Sequence, residues 1–115
     1  MAFKIEFPRG DSYTRGFMLE VNGSIDMDPF DEIYFTVKKF NSETVFLFQK
    51  RLSTGGIIDN GAGEYELQIL PEDTDGLSFG EYKCDIEFRR LATNWKKTFT
   101  GKMKLGEETT HHANE

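Results

Sequence analysis

The sequence predicts an all-β, antiparallel sandwich of about seven to eight short strands. Apolar and polar residues alternate with a period of two through most of the chain, and glycine- and asparagine-rich turns separate the alternating segments. Aromatic residues make up 14% of the chain, which suits half-buried pleated surfaces. The length of 115 residues fits a single domain. We assign residues 1–105 to this domain and residues 106–115 to a flexible tail that lacks large apolar side chains.

The N-terminal half contains three predicted strands. Residues 3–7 alternate, with phenylalanine and isoleucine on one face, and residues 8–11 read as a turn. Residues 14–21 form the second predicted strand, which ends at the tight-turn pair Asn22-Gly23. The third predicted strand covers residues 32–39.

The C-terminal half supplies the remaining strands. Residues 41–52 are ambiguous, because a continuous apolar run at their centre also suits a helix; the short length favours a strand. Residues 57–59 and 65–69 are two further short strands. The clearest alternation lies in residues 81–90, and residues 95–105 form the last strand.

The shared phase of these strands predicts a single core. Its predicted members are Phe35, Val37, Phe48, Tyr65, Leu67, Ile69, Tyr82, Cys84, Ile86, Phe88, Phe99 and Met103.

Composition argues against several classes of function. The formal net charge of −6 disfavours nucleic-acid binding, because an acidic domain gains little from phosphate contacts. A single cysteine, Cys84, rules out an intrachain disulfide. Residues 1–6 lack the pattern of a signal peptide, and no apolar run has membrane-spanning length. We therefore expect synthesis in a cytoplasm and no membrane partner.

The acidic loop, residues 26–32, holds Asp26, Asp28, Asp31 and Glu32. Clustered carboxylates are compatible with a calcium site, but Pro29 interrupts the spacing of a calcium-binding loop and its usual glycine is missing. A solvated loop between strands is the favoured interpretation, and we predict no metal site.

The reactive side chains form no recognisable catalytic set. Cys84 lies on the inward face of a predicted strand, and the two histidines, His111 and His112, lie in the predicted tail. We therefore predict that the chain is not an enzyme and binds no cofactor. The tripeptide Arg9-Gly10-Asp11 matches an integrin-binding motif, but a turn with a chance match is the favoured interpretation.

Two stretches of opposite charge are candidates for an interaction surface. The basic face is the outward side of the last strand, which carries Lys96, Lys102 and Lys104. We expect it to meet the carboxylates of the acidic loop of another subunit, in a head-to-tail contact.

Residues 72–84 contain an Asp-x-Gly sequence followed by Tyr-x-Cys, and this combination resembles the start of the sixth strand of an immunoglobulin domain. The resemblance implies an immunoglobulin-like sandwich with a structural corner formed by Tyr82, Asp73 and Gly80. The Tyr82 hydroxyl is expected to bond to the backbone of residues 71–77. No partner cysteine exists, and Trp95 follows this strand instead of preceding it, so an extracellular immunoglobulin domain is not expected.

A second resemblance covers most of the chain. It is carried by Arg9-Gly10-Asp11 and by residues 31–38, 63–65, 70–74, 77–86 and 100–105. In order and spacing these segments resemble small structural proteins of tailed bacteriophages and prophages, akin to the N-terminal domain of baseplate upper proteins. That family usually has an aromatic residue at the position of Cys84. The resemblance implies a virion protein of the tail, baseplate or neck region, made in the bacterial host cytoplasm.

The expected function is therefore a non-catalytic assembly module whose partners are other virion proteins or further copies of itself. The alternative is a carbohydrate- or surface-binding adhesion module. A sugar site needs exposed aromatic rings, and the candidates are Tyr13, Tyr34 and Trp95.

Overall fold

The computed structural model describes residues 3–39 and 45–107. In these two ranges the chain forms ten strands and one short helix. The strands are β1 (Phe3–Pro8), β2 (Tyr13–Phe17), β3 (Glu20–Val21), β4 (Ser24–Ile25), β5 (Glu32–Lys38), β6 (Phe48–Arg51), β7 (Ile57–Gly61), β8 (Glu64–Ile69), β9 (Gly80–Arg90) and β10 (Trp95–Gly106), and the helix is α1 (Pro71–Thr74).

Two main sheets pack face to face. One has five strands in the order β1-β10-β9-β5-β6, and the other has three in the order β2-β8-β7. This division matches an immunoglobulin-like sandwich: β2, β8 and β7 take the places of its strands B, E and D, and β5, β9 and β10 take those of its strands C, F and G. The prediction of an all-β sandwich is confirmed. The two main sheets contain eight strands, which is the upper end of the predicted number. Within the described residues, β3 and β4 add a separate two-stranded ribbon.

The sequence predicts an antiparallel sandwich, but one pair of strands is parallel. Strand β1 runs parallel to β10, with Phe3 opposite Gly101 and Pro8 opposite Gly106. A Cβ atom on Gly101 would lie 2.5 Å from the carbonyl oxygen of Phe3, so glycine is required for this close approach.

Two local predictions along the chain were incomplete. The predicted strand of residues 14–21 is divided into β2 and β3, because the chain turns inward between them to bury Leu19. Helix α1, a single turn that begins at Pro71, was not predicted. The tight turn at Asn22-Gly23 is confirmed, since both residues have positive φ angles, 53° and 81°.

The core lies between the sheets, as predicted. Of the predicted members, Phe48, Ile86 and Phe99 are half-buried and the others are buried. The prediction omitted several residues that complete the core: Ile5, Phe7, Leu19, Phe30, Ile33, Ile57, Thr74 and Leu105.

Strand β10 extends to Gly106, one residue beyond the predicted domain boundary. The predicted tail falls mostly on residues 108–115, outside the described residues, and stays a prediction. Within the described ranges, no helix is long and apolar enough to cross a membrane.

Candidate functional site

The corner before β9 contains the hydrogen bond that the sequence suggested. The hydroxyl of Tyr82 donates to the carbonyl oxygen of Ser78 at 2.7 Å. The acceptor therefore lies one residue beyond the predicted loop of residues 71–77. Because Tyr82 is buried in the core, this bond satisfies a phenol that has little contact with water.

Asp73 and Gly80 stabilise the same corner in different ways. One carboxylate oxygen of Asp73 accepts the N–H of Leu70 at 2.7 Å and lies 2.5 Å from the ammonium of Lys50. Asp73 thus caps α1 and links it to β6 in the other sheet. Gly80 has a φ of 131°, a conformation that residues with a Cβ atom rarely adopt.

The turn at Arg9-Gly10-Asp11 is attached to this corner. The Arg9 guanidinium donates to the carbonyl of Leu77 at 3.2 Å and lies 4.3 Å from the centre of the Phe79 ring. The N–H of Gly10 donates to the hydroxyl of the buried Thr74 at 2.9 Å. The arginine of the tripeptide is therefore engaged within the chain, which supports the interpretation as a structural turn.

The first part of the acidic loop is folded around an arginine. One nitrogen of the Arg90 guanidinium donates to the Asp26 carboxylate at 2.8 Å and to the carbonyl of Asp28 at 2.9 Å. The same guanidinium lies 4.2 Å from the ring centre of Phe30 and 4.9 Å from that of Trp95. The hydrogen bond from Arg90 holds the pKa of Asp26 below its usual value.

The other end of the acidic loop is also occupied. The Asp31 carboxylate accepts the N–H of Leu91 at 2.5 Å, and the Asp31 N–H donates to the carbonyl of Arg89 at 2.9 Å. The contact surface of Asp26, Asp28 and Asp31 stays a prediction, but the carboxylates of Asp26 and Asp31 already bind groups within the chain. The sequence could not show this, because the partners lie about 60 residues away.

The three lysines of the basic face point outward, as predicted, but they do not form one group. Lys96 lies opposite Arg89 near the start of β10, whereas Lys102 and Lys104 lie near its end. The ammonium of Lys104 is 3.6 Å from a carboxylate oxygen of Glu6 on β1. One of the three candidate charges is thus already paired across strands.

The register of the five-stranded sheet creates a different basic feature, which we call the lysine row. Lys4 on β1 lies opposite Lys102 on β10, Lys102 lies opposite Lys83 on β9, and Lys83 lies opposite Lys38 on β5. All four side chains lie on the outer face, since their neighbours along each strand face the core. The sequence indicated that each lysine faces outward, but only the strand order and register place them side by side.

A shallow polar depression of about 260 Å³ adjoins the lysine row. Lys38 and Lys83 line it together with Asp85 and Thr100. Burial raises the pKa of Asp85, Lys38 opposes the shift, and Glu87 adds to it.

The thiol of Cys84 is not activated, and the rings of the sugar-site candidates already contact other side chains or are half-buried. Burial raises the pKa of the Cys84 thiol to about 12, which suppresses the thiolate. Tyr13 stacks on Phe7 with ring centres 4.7 Å apart, and the Arg51 guanidinium lies 5.1 Å from the centre of the Tyr34 ring. Trp95 is half-buried, so none of the three predicted aromatic platforms stands alone.

An exposed apolar run lies at the β6 edge of the five-stranded sheet, the edge farthest from β1. Val45, Phe46 and Leu47 are 75%, 46% and 42% exposed and lead directly into β6. The N–H of Leu47 donates to the carbonyl of Val37 at 2.7 Å, which fixes the run beside the end of β5. Strand β6 pairs only with β5 among the described strands, so it is the edge of its sheet. We call Val45, Phe46, Leu47 and strand β6 the apolar edge.

A second apolar surface lies between the two main sheets, near β1 and β2 and away from β6. A cavity of about 120 Å³ there is lined by apolar side chains and Arg15, whose guanidinium donates to the carbonyl of Lys4 at 2.7 Å. Arg15 points inward from an edge strand and bridges to the other sheet. This arrangement guards an edge against unwanted pairing.

Comparisons of the chain with protein families, with curated proteins and with solved structures find no match.

Proposed function

We propose that this chain is a non-catalytic structural protein of a tailed phage or prophage particle, where it acts as a protein–protein assembly module. Its place is the tail, baseplate or neck region of the virion, after synthesis in the bacterial host cytoplasm. The resemblance of residues 31–38, 63–65, 70–74, 77–86 and 100–105 to such proteins supports the class. The immunoglobulin-like sandwich is consistent with it, although many functions use this fold.

The apolar edge is the observation that carries the mechanism. Three consecutive exposed apolar residues beside an edge strand are unfavourable in an isolated domain, because they offer both apolar surface and free backbone groups to other chains. A protein partner that adds a strand along β6 would satisfy those groups and cover Phe46 and Leu47. The partners are other virion proteins or further copies of this chain.

The first test asks whether the protein is part of a particle. An antibody raised against the purified chain is used to probe density-purified particles and the soluble fraction from cells that carry the gene. We expect the chain in the particle fraction at a fixed ratio to the other virion proteins. A chain that is abundant in the lysate and absent from purified particles refutes the proposal.

The second test asks whether the apolar edge makes the contact. In cells that lack the native gene, Phe46→Asp should reduce incorporation into particles by at least about tenfold, since a charge replaces a ring at the contact. Leu91→Asp is the matched control, because Leu91 is also apolar and is 67% exposed. Leu91 lies beside the start of β5, whereas the apolar run lies beside the end of β5. Equal incorporation of both variants would show that the apolar edge is not the contact.

A further inference from the structure

The lysine row concentrates positive charge on an otherwise acidic protein. Neighbouring strands lie about 4.8 Å apart, so four lysines on adjacent strands span roughly 14 Å across the sheet. Like charges directly opposite each other on neighbouring strands repel. An anionic partner would remove this repulsion.

Within the described residues, the row has little internal compensation. Lys4 lies 3.9 Å from Glu6 in an exposed pair, which contributes little. No carboxylate of the described ranges lies within 4.0 Å of the ammonium groups of Lys38, Lys83 or Lys102. The half-buried Asp85 lines the same depression as Lys38 and Lys83, without forming such a pair.

The opposite side of the sandwich carries the complementary charge. Tyr65, Leu67 and Ile69 of β8 face the core, so Glu64, Glu66 and Gln68 face outward. Ile58 on β7 lies opposite Glu66 and is 36% exposed. We call Glu64, Glu66 and Ile58 the acidic face; on the β2 side it is bordered by the uncharged Thr14 and Gly16.

We propose that the lysine row of one copy binds the acidic face of a second copy. The two surfaces also match in their apolar parts, because Leu47 lies beside the row and Ile58 lies within the acidic face. They lie on opposite faces of the sandwich, so the contact is head-to-tail and repeats from copy to copy into a stack. The charges set the register and the apolar side chains add affinity.

The charge of the whole chain favours this partner over a nucleic acid. A net charge of −6 repels a long polyanion along its whole length, whereas a second copy of the same net charge brings its carboxylates to the row only in one local patch. The row contains no aromatic side chain on which bases could stack. This inference names a partner for the assembly module and rests on the proposed function.

The experiment uses charge-reversed variants whose two defects complement each other. Sedimentation velocity is measured at low ionic strength for the wild type, for Lys83→Glu and for Glu66→Lys. The wild type should associate reversibly and dissociate as salt is added, because exposed charges are screened. Each variant alone should remain monomeric, since one of its two surfaces carries the wrong charge.

The mixture of the two variants gives the decisive result. Lys83→Glu keeps an intact acidic face and Glu66→Lys keeps an intact lysine row, so an equimolar mixture should associate through this unaltered pair of surfaces. Lys96→Glu is the matched control: it reverses an exposed lysine of β10 that lies outside the row, and it should associate like the wild type.

Three results would overturn the inference. They are a wild type that stays monomeric at low salt and high concentration, a mixture that fails to associate, and Lys96→Glu as defective as Lys83→Glu. Binding of a single-stranded oligonucleotide that Lys83→Glu abolishes would assign the row to nucleic acid instead. Incorporation into particles is measured separately, so a monomeric protein that is present in particles would overturn only the stacking.

Discussion

Replacing Tyr82 with phenylalanine removes one hydroxyl from the corner between α1 and β9 and leaves the ring in place. The lost interaction is the 2.7 Å hydrogen bond to the carbonyl oxygen of Ser78. Since the ring is buried and the Ser78 residue is exposed, the freed carbonyl can bond to water. The variant therefore loses the bond without leaving a buried acceptor unsatisfied.

The expected cost is that of one ordinary hydrogen bond, about 1 kcal/mol in the free energy of unfolding. For a domain of this size, such a loss lowers the melting temperature by roughly 4 °C. With a urea dependence of about 1.5 kcal/mol per molar, the denaturation midpoint falls by roughly 0.7 M.

Urea unfolding followed by fluorescence measures this shift, because Trp95 is the single tryptophan and packs against Phe30 at 6.1 Å between ring centres. Tyr34→Phe is the matched control: it removes a hydroxyl that has no hydrogen-bond partner among the described residues. Its midpoint should stay within about 0.2 M of the wild type. A Tyr82→Phe midpoint equal to that of the wild type, or an equal loss in Tyr34→Phe, would refute the reasoning.

Three further outcomes are expected. Arg90→Lys should lower the free energy of unfolding by about 1–3 kcal/mol and shift the fluorescence emission of Trp95. A lysine cannot keep both the stacking on Trp95 and the hydrogen bonds to Asp26 and Asp28. Unchanged emission would contradict this. Burial raises the pKa of Asp85, so the folded protein is destabilised as this group ionises with rising pH. Asp85→Asn should therefore be more stable than the wild type at pH 7, and the gain should vanish below about pH 4; urea midpoints at both pH values decide. Burial raises the pKa of the Cys84 thiol to about 12. At pH 8 the thiol should therefore react with a thiol reagent at least about a hundredfold more slowly in the folded protein than in urea. Equal rates would show that the thiol is accessible.

The sheet strands could be predicted because their two faces meet different surroundings. Strand β9 has core residues on one side and charged residues on the other, and its period-two pattern places both sides correctly. Phe30 was missed because it lies between strands, where periodicity carries no information. Phe30 is buried by Trp95 and Phe88, which come about 60 residues later.

The lysine row shows a second limit of sequence reasoning. Alternation predicts which face of a strand Lys83 occupies, but not which residue stands opposite it on the next strand. A shift of two residues in one strand would keep the same face buried and would separate Lys83 from Lys38 or Lys102. The position of β1 could not be predicted either, because the alternation of residues 3–7 is the same whether the strand pairs with β10 in a parallel or an antiparallel direction.

The parallel pairing of β1 with β10 has a mechanical consequence. The start of β1 and the end of β10 lie at opposite ends of a ladder of six residue pairs. A force applied by tethers before Phe3 and after Gly106 would pull the two strands past each other and strain all six pairs together. Antiparallel terminal strands would instead open one pair at a time. A domain joined on both sides to other parts of an assembly would thereby resist extension along its strands.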